Sequence, residues 1–353
     1  MPTSLNDSRD KLLGQLLDFL WRQWTSLGVP GNHASEGDWI IDPEALILIT
    51  TKIGRHDSRL LDLSINWLHS YGRGINLQRL RRLQSQWPCS DDRVLSGIAE
   101  ILAEQSIMRK WRSSGDLGDF PEHQEPPEPL FILTYGKELP VFGRPDPRFE
   151  RYGLLRTRWE PSGTCKSPPP DRPANLLCTL RALFGVNARA EIMAWLLTHE
   201  SGHPAAIAME TGYFSKSIQG TLNDMADSGQ IHSEREGREK KFRLQRKDWS
   251  FLLDGSQAHS FPRWIHWAPV FYFASRTLQL LGEPDSQNDS VNLKAIFQRG
   301  FLDEVAPALR SSGLRAMMVA RRDLTGSRLT DSILQDVQNF GRLLEADFSN
   351  QAH

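Results

Sequence analysis

Residues 204–244 run PAAIAMETGYFSKSIQGTLNDMADSGQIHSEREGREKKFRL. Pro204 suits the first position of a short helix, where its missing N–H costs no hydrogen bond, with Ile207 and Ala208 as core contacts. Gly212 then permits a tight turn, since a left-handed backbone brings glycine no Cβ clash. A longer helix starts near Ser215, with Ile218, Leu222 and Met225 at i, i+4 and i+7 on one apolar stripe. Gly229 caps it. Ile231 opens a strand, and REGREKKFRLQRK reads as a hairpin around Gly237. Upstream, Pro173 to Phe184 predicts a helix with Leu176, Leu177, Leu180 and Leu183 on one face. Asn187 caps the next helix, whose Ile192, Trp195 and Leu196 point inward.

That stripe leaves Ser215, Lys216, Ser217, Gln219, Gly220 and Asn223 on or near the outer face. Gln and Asn amides can pair with adenine edges, and Lys can reach guanine or phosphate. The second hairpin strand carries Arg238, Lys240, Lys241, Arg243, Arg246 and Lys247 against Glu239, a patch suited to salt-dependent phosphate contact. A helix for the major groove followed by a basic ribbon is what duplex recognition needs.

The pieces IAMETGYFSKSIQGTLNDMADSGQI and EGREKKFRL resemble the winged helix-turn-helix domains of bacterial ArsR- and MarR-like transcriptional regulators, over about a fifth of the chain. The resemblance implies major-groove recognition by the second helix, backbone or minor-groove contact by the wing, and homodimers on inverted repeats. Gly220 stands where such domains often carry a long polar or basic side chain, which leaves base-specific readout open.

The whole chain of 353 residues has room for two or three domains, and its formal net charge of -1 does not advertise nucleic-acid binding. Cys89, Cys165 and Cys178 are widely spaced and odd in number, which predicts reduced thiols rather than a disulfide framework or zinc ribbon. The N-terminal MPTSLNDSRDK has no apolar core of signal-peptide length, and no run of about 18 uncharged apolar residues occurs. A cytoplasmic protein without membrane contact is expected.

Four regions separate by composition. Residues 1–111 are helix-rich, with Leu12, Leu13, Leu16, Leu17, Leu20 and Trp21 at helical spacing. Asp42 and Pro43 read as an N-cap and first position, and further helices are expected over Asn76–Trp87 and from Asp91 to about Lys110. Residues 112–172 hold 11 of the 21 prolines. That density blocks helix and removes ladder donors, so this segment is expected to be an extended strap packed over the helices, with a free linker as the alternative. Within it, Leu130–Phe142 has strand-like content around a Gly-Lys turn, and Glu122, Glu125 and Glu128 read as a solvated acidic run. The winged segment occupies 173–250. Residues 258–353 return to helix, with Trp267, Phe271 and Tyr272 expected in a core or dimer interface.

HESGH, His199 to His203, matches the zinc-protease pattern by letter. That chemistry needs both histidines on one continuous helix, whereas Gly202 and Pro204 place the motif on a connection. No Walker A loop, dinucleotide fingerprint or nucleophile elbow occurs, and Arg144–Pro147 reads as a structural turn. Arg79, Arg81 and Arg82 read as a solvated basic helix face, open to a second nucleic-acid contact, as more weakly do Arg321 and Arg322.

The sequence therefore predicts a mainly α protein with a central winged helix-turn-helix between helical N- and C-terminal domains. The expected activity is transcriptional regulation through double-stranded DNA, without cofactor, metal or catalysis. Ser215, Lys216, Ser217, Gln219 and Asn223 would meet bases or nearby phosphates. Arg238, Lys240, Lys241 and Arg243 would grip the backbone. The rival reading is an antitoxin-like interaction protein whose winged helix binds a partner protein.

Overall fold

The computed structural model describes residues 5–32, 34–35, 37–112, 126–133, 137–237, 239–253, 260–283, 291–314, 324 and 326–348. The protein is mainly helical. In chain order come α1 (Leu5–Ser26), α2 (Pro43–Ile53), α3 (Ser58–Tyr71), α4 (Leu77–Gln86) and α5 (Asp92–Ala103). After them lie the short β1 (Glu128–Pro129), α6 (Pro147–Glu150) and β2 (Leu154–Leu155). The next stretch holds α7 (Leu176–Phe184), α8 (Ala188–Thr198), α9 (Pro204–Thr211), α10 (Ser215–Asp227), β3 (His232–Glu236) and β4 (Glu239–Arg243). Last come α11 (Trp267–Gly282), α12 (Val291–Ser311) and α13 (Ser327–Glu345). Among the described residues no helix is long and apolar enough to cross a membrane.

Local chemistry sets the helix starts. Asp42, Asn76 and Asn187 each accept a backbone N–H from the first turn of α2, α4 and α8. Pro43 and Pro204 sit at the first helical positions. The helix expected from Asp91 to about Lys110 instead stops at Ala103 and resumes as a 3-10 turn over Ser106–Trp111, because Gln105 adopts an extended backbone.

One apolar core runs through the helices of residues 1–111 and 258–353, which the sequence had assigned to separate units. Helix α1 packs along α13, α11 and α2, and α11 packs along α12. At the centre the Trp39 and Trp267 rings meet edge to face at 4.8 Å, with Phe19 5.3 Å and Phe348 5.2 Å from Trp267. Trp267 and Phe271 are fully buried, so they belong to this core. The indole of Trp39 donates to the Asp347 carbonyl at 2.6 Å, and Arg22 donates to the Leu344 carbonyl at 2.6 Å. These bonds tie the end of α13 back to the first quarter of the chain.

The described part of the proline-rich segment is ordered and lies on this body. Leu130, Phe149 and Leu154 are fully buried, each worth about 1.5–3 kcal/mol. Phe149 lies against Gly97 of α5, where a Cβ would come within 2.5 Å of its ring. Strand β1 pairs with β2 in parallel, and Leu139 donates to the Phe131 carbonyl at 3.0 Å, joining the two described arms of the stretch expected to be strand-like. Asp146 is buried, caps α6, and takes hydrogen bonds from Arg148 and the Trp159 backbone. The acidic run is not simply solvated. Glu128 accepts from Arg55 at 2.8 Å and Arg93 at 2.6 Å. Burial alone would raise its carboxyl pKa, but the two guanidinium groups hold it below the ordinary value. Glu122 and Glu125 lie outside the described residues.

A second core joins α7, α8, α9, α10 and the β3–β4 hairpin through Leu177, Leu180, Ile192, Trp195, Ile207, Ile218, Leu222 and Phe242. Between the two cores lies a buried ionic junction. Arg79 of α4 grips Asp42 with two hydrogen bonds of 2.6 and 2.5 Å and reaches Glu44 at 2.6 Å. Arg181 of α7 holds both oxygens of Glu44, at 2.8 and 2.9 Å, and bonds Glu191 of α8 at 2.5 Å. Desolvation opposes every one of these charges. The mutual attraction overcomes it, raising the pKa of both arginines and lowering that of Asp42. Arg79, expected on a solvated face, is thus in the interior, because its guanidinium has two carboxylates and a carbonyl to receive its five donors.

Candidate nucleic-acid interface

The segment 204–244 folds locally as its residues dictate. Gly212 has φ +72° and closes α9 in the left-handed conformation. Beside it, the Arg79 Nε donates to the Thr211 carbonyl at 2.6 Å, and Asn76 donates to the Tyr213 hydroxyl at 2.5 Å. The turn between α9 and α10 is therefore clamped to α4 of the helical body. Ile218, Leu222 and Met225 face inward from α10, and Gly229 takes a left-handed conformation just beyond its end.

On the opposite face of α10, Ser215, Lys216, Ser217, Gln219 and Gly220 are exposed. Nothing lies within 4 Å of where a Gly220 Cβ would stand, so the middle of this face is open. Asn223 is half-buried and engaged, its Oδ1 accepting from Lys240 Nζ at 2.9 Å. That ammonium also lies 4.9 Å from the Phe242 ring centroid. Two residues expected to act separately, on bases and on backbone, are thus joined in the free protein. The bond fastens the hairpin to α10.

The hairpin is antiparallel, with Glu234 opposite Lys241, Arg235 opposite Lys240, and Glu236 opposite Glu239. Arg243 pairs with Glu234 at 2.5 Å. Its charge is more mixed than a reading of the second strand alone suggests, since β3 supplies glutamates across the ladder. Arg246 and Lys247 are exposed but lie past the end of β4, in the 3-10 segment Arg246–Leu253. They are not wing-strand residues. Arg238 lies outside the described residues, as do Arg321 and Arg322.

The HESGH stretch is the connection between α8 and α9. His199 follows the end of α8, stacks flat on Trp195 at 3.7 Å, and shares a 2.9 Å hydrogen bond between Nδ1 and the Trp195 carbonyl. His203 caps α9 through Nδ1. Gly202 exchanges two backbone hydrogen bonds with Phe242, of 2.8 and 2.9 Å, an isolated antiparallel bridge that joins the connection to β4. A Cβ there would come within 2.2 Å of the Trp195 ring, so glycine is required for this approach. The motif's letters answer to packing. Among the described residues, no group of three or more His, Cys, Asp or Glu side chains is placed to hold a metal ion.

Sequence reasoning missed Phe214, the N-cap position of α10, which is 72% exposed. The Arg82 guanidinium carbon lies 4.2 Å from its ring centroid. The adjacent aromatics Tyr213 and Phe214 between the turn and the helix were the available signal. It passed unnoticed because an aromatic before a helix is usually read as a core anchor.

No protein-family model, curated protein or solved structure matches this chain.

Proposed function

We propose that residues 173–250 form a winged helix-turn-helix that binds double-stranded DNA, and that the protein is a transcriptional regulator built around it. One observation carries the reading. Helix α10 presents an uncovered row of Ser215, Lys216, Ser217 and Gln219 beside a hairpin bearing Lys240, Lys241 and Arg243. The order α8, Gly202 bridge, α9, tight turn, α10, hairpin supports it as the arrangement that offers a helix to the major groove and a ribbon to the phosphates. Ser215, Lys216, Ser217 and Gln219 would meet base edges or nearby phosphates. Asn223 would do so only after releasing Lys240. Lys240, Lys241 and Arg243 would hold the backbone, and two half-sites would be bound by a homodimer.

The test is an anisotropy titration of the full chain against the duplex upstream of its own gene, at two salt concentrations. Binding that weakens steeply with salt and is lost in the Lys240→Ala, Lys241→Ala double variant supports the reading. Unchanged binding in that variant sinks the wing assignment.

A second reading, capture of a partner protein by the same domain, is favoured by exposed Leu183 and Phe251 beside Phe184 and Trp249. Co-purification with the product of the neighbouring gene, lost in Leu183→Asp, would favour it over DNA binding.

A further inference from the structure

Arg82 stands three residues after Arg79 on α4, so the two side chains leave neighbouring faces of the helix. Arg79 enters the ionic junction, while Arg82 reaches the start of α10 and stacks on the Phe214 ring. Its surroundings lack what a guanidinium ordinarily has. Among the described residues no carboxylate pairs with Arg82, and its Nη1 is enclosed without a hydrogen-bond acceptor. That enclosed atom is out of a ligand's reach, but Arg82 as a whole is half-buried, so part of the side chain stays open to an acceptor from solvent.

The electrostatics point the same way. Helix α10 has 13 residues, and its first turn carries the positive end of the helix dipole. Phe214 offers no side-chain cap to those N–H groups, and Lys216 follows two residues later. Placing a guanidinium beside this end adds like charge to like charge. In the free protein the guanidinium's gain there is its stacking on Phe214, and the combined positive charge favours an anion.

The site is also held in place. The turn is clamped through Thr211 and Tyr213, and a Cβ on Gly212 would stand 3.0 Å from Leu83 of α4. Arg82 therefore keeps a fixed position relative to α10, and stacking on Phe214 removes much of its rotational freedom before any ligand arrives.

We propose that the helical body takes part directly in DNA binding: Arg82, steered by Phe214, contacts a backbone phosphate beside the N-terminal end of α10. This rests on the DNA-binding reading above. It makes the DNA-facing surface a joint product of α4 and α10, with the body setting the angle at which α10 enters the groove. A phosphate contact of this kind positions without reading sequence.

Fluorescence anisotropy with the full chain and a labelled duplex, between about 50 and 200 mM salt, tests it. Arg82→Ala is expected to weaken binding about tenfold on every duplex tried and to flatten the slope of log affinity against log salt by about 0.9. Arg82→Lys is expected to keep the slope while losing part of the affinity, since an ammonium stacks on Phe214 less well than a planar guanidinium. Should Arg82→Ala fold poorly, Arg82→Gln keeps the stem over the ring and removes the charge. Weaker binding with the wild-type slope marks a merely structural effect and overturns the proposal. Wild-type affinity and slope in Arg82→Ala, with Lys216→Ala still weakened, overturns it and leaves the domain's own DNA contact standing. No salt-sensitive binding by the unmodified protein overturns both.

Discussion

Arg79 and Thr211 are 132 residues apart in sequence, yet the Arg79 Nε donates to the Thr211 carbonyl at 2.6 Å. That bond, with the Asp42 and Glu44 pairs on the same guanidinium, makes the turn before α10 part of the body's interior rather than a tethered surface loop. Replacing Arg79 with Leu leaves buried Asp42 without its cation and Glu44 with Arg181 alone. Such a change costs about 3–5 kcal/mol. Urea denaturation of Arg79→Leu is the check, and a loss under about 1 kcal/mol would show that the junction contributes little to stability.

The two glycines of this region are expected to respond in opposite directions. Gly212 has φ +72° and faces Leu83, so Gly212→Ala imposes backbone strain of about 1–2 kcal/mol and a tight contact besides. Gly220 is helical with open space around it, so Gly220→Ala raises stability by about 0.5–1 kcal/mol. Thermal melts of both variants test the pair. A Gly212→Ala protein as stable as wild type would contradict the left-handed turn.

His266 is 4% exposed and sits edge-on to Trp87 at 6.3 Å, close to the ionic junction. Burial pushes its pKa down from 6.5 to about 4, Asp42 opposing and Arg79 reinforcing the shift. The unfolded chain therefore takes up this proton near pH 6.5, while the folded protein resists until about pH 4. Stability contributed by the neutral imidazole is whole above pH 6.5 and is lost as pH falls toward 4. The total is about 3 kcal/mol. Stability measured against pH for wild type and His266→Gln should diverge over that window, and parallel curves would contradict the burial of a neutral His266.

The thiols should separate by reactivity. Cys89 is fully buried, and desolvation pushes its pKa up to about 12. Cys165 is half-buried and rises to about 11 for the same reason. Neither is a ready nucleophile near neutral pH. Alkylation followed by peptide mapping should find Cys165 modified well before Cys89, with Cys89 reached only on unfolding. Equal rates would mean that the α5 side of the core opens freely.

Local signals carried far in this chain, and distant ones did not. Asp42, Asn187, Pro204 and Gly212 act through neighbours two to four residues away, and each takes the expected place. The inward row Ile218, Leu222 and Met225 was legible for the same reason, since period alone decides it. The junction was not legible. Glu44 and Arg181 lie 137 residues apart, and an arginine in LQRLRRL looks solvated until its carboxylates are known. Likewise the hairpin looked strongly basic while only the second strand was weighed, and register then set Glu234 against Lys241. The stop after Ala103 has no proline or glycine to announce it. Arg82 needed the same missing information, namely that α4 would come to rest against the start of α10.

The pairing of α1 with α13 has a consequence for how the protein must be made. Helix α1 is made well before α11 and α13, two of the helices that pack along it. By then the unit of α7–α10 and the β3–β4 hairpin, with a core of its own, is already complete. At about 5–20 residues per second, roughly ten seconds separate its last strand from the end of α13. For that interval the first-made half of the body carries an uncovered apolar stripe, while the part proposed to hold DNA can already be folded. The face of α1 that meets α11 and α13 is therefore the part of the core that waits longest for its partners during synthesis.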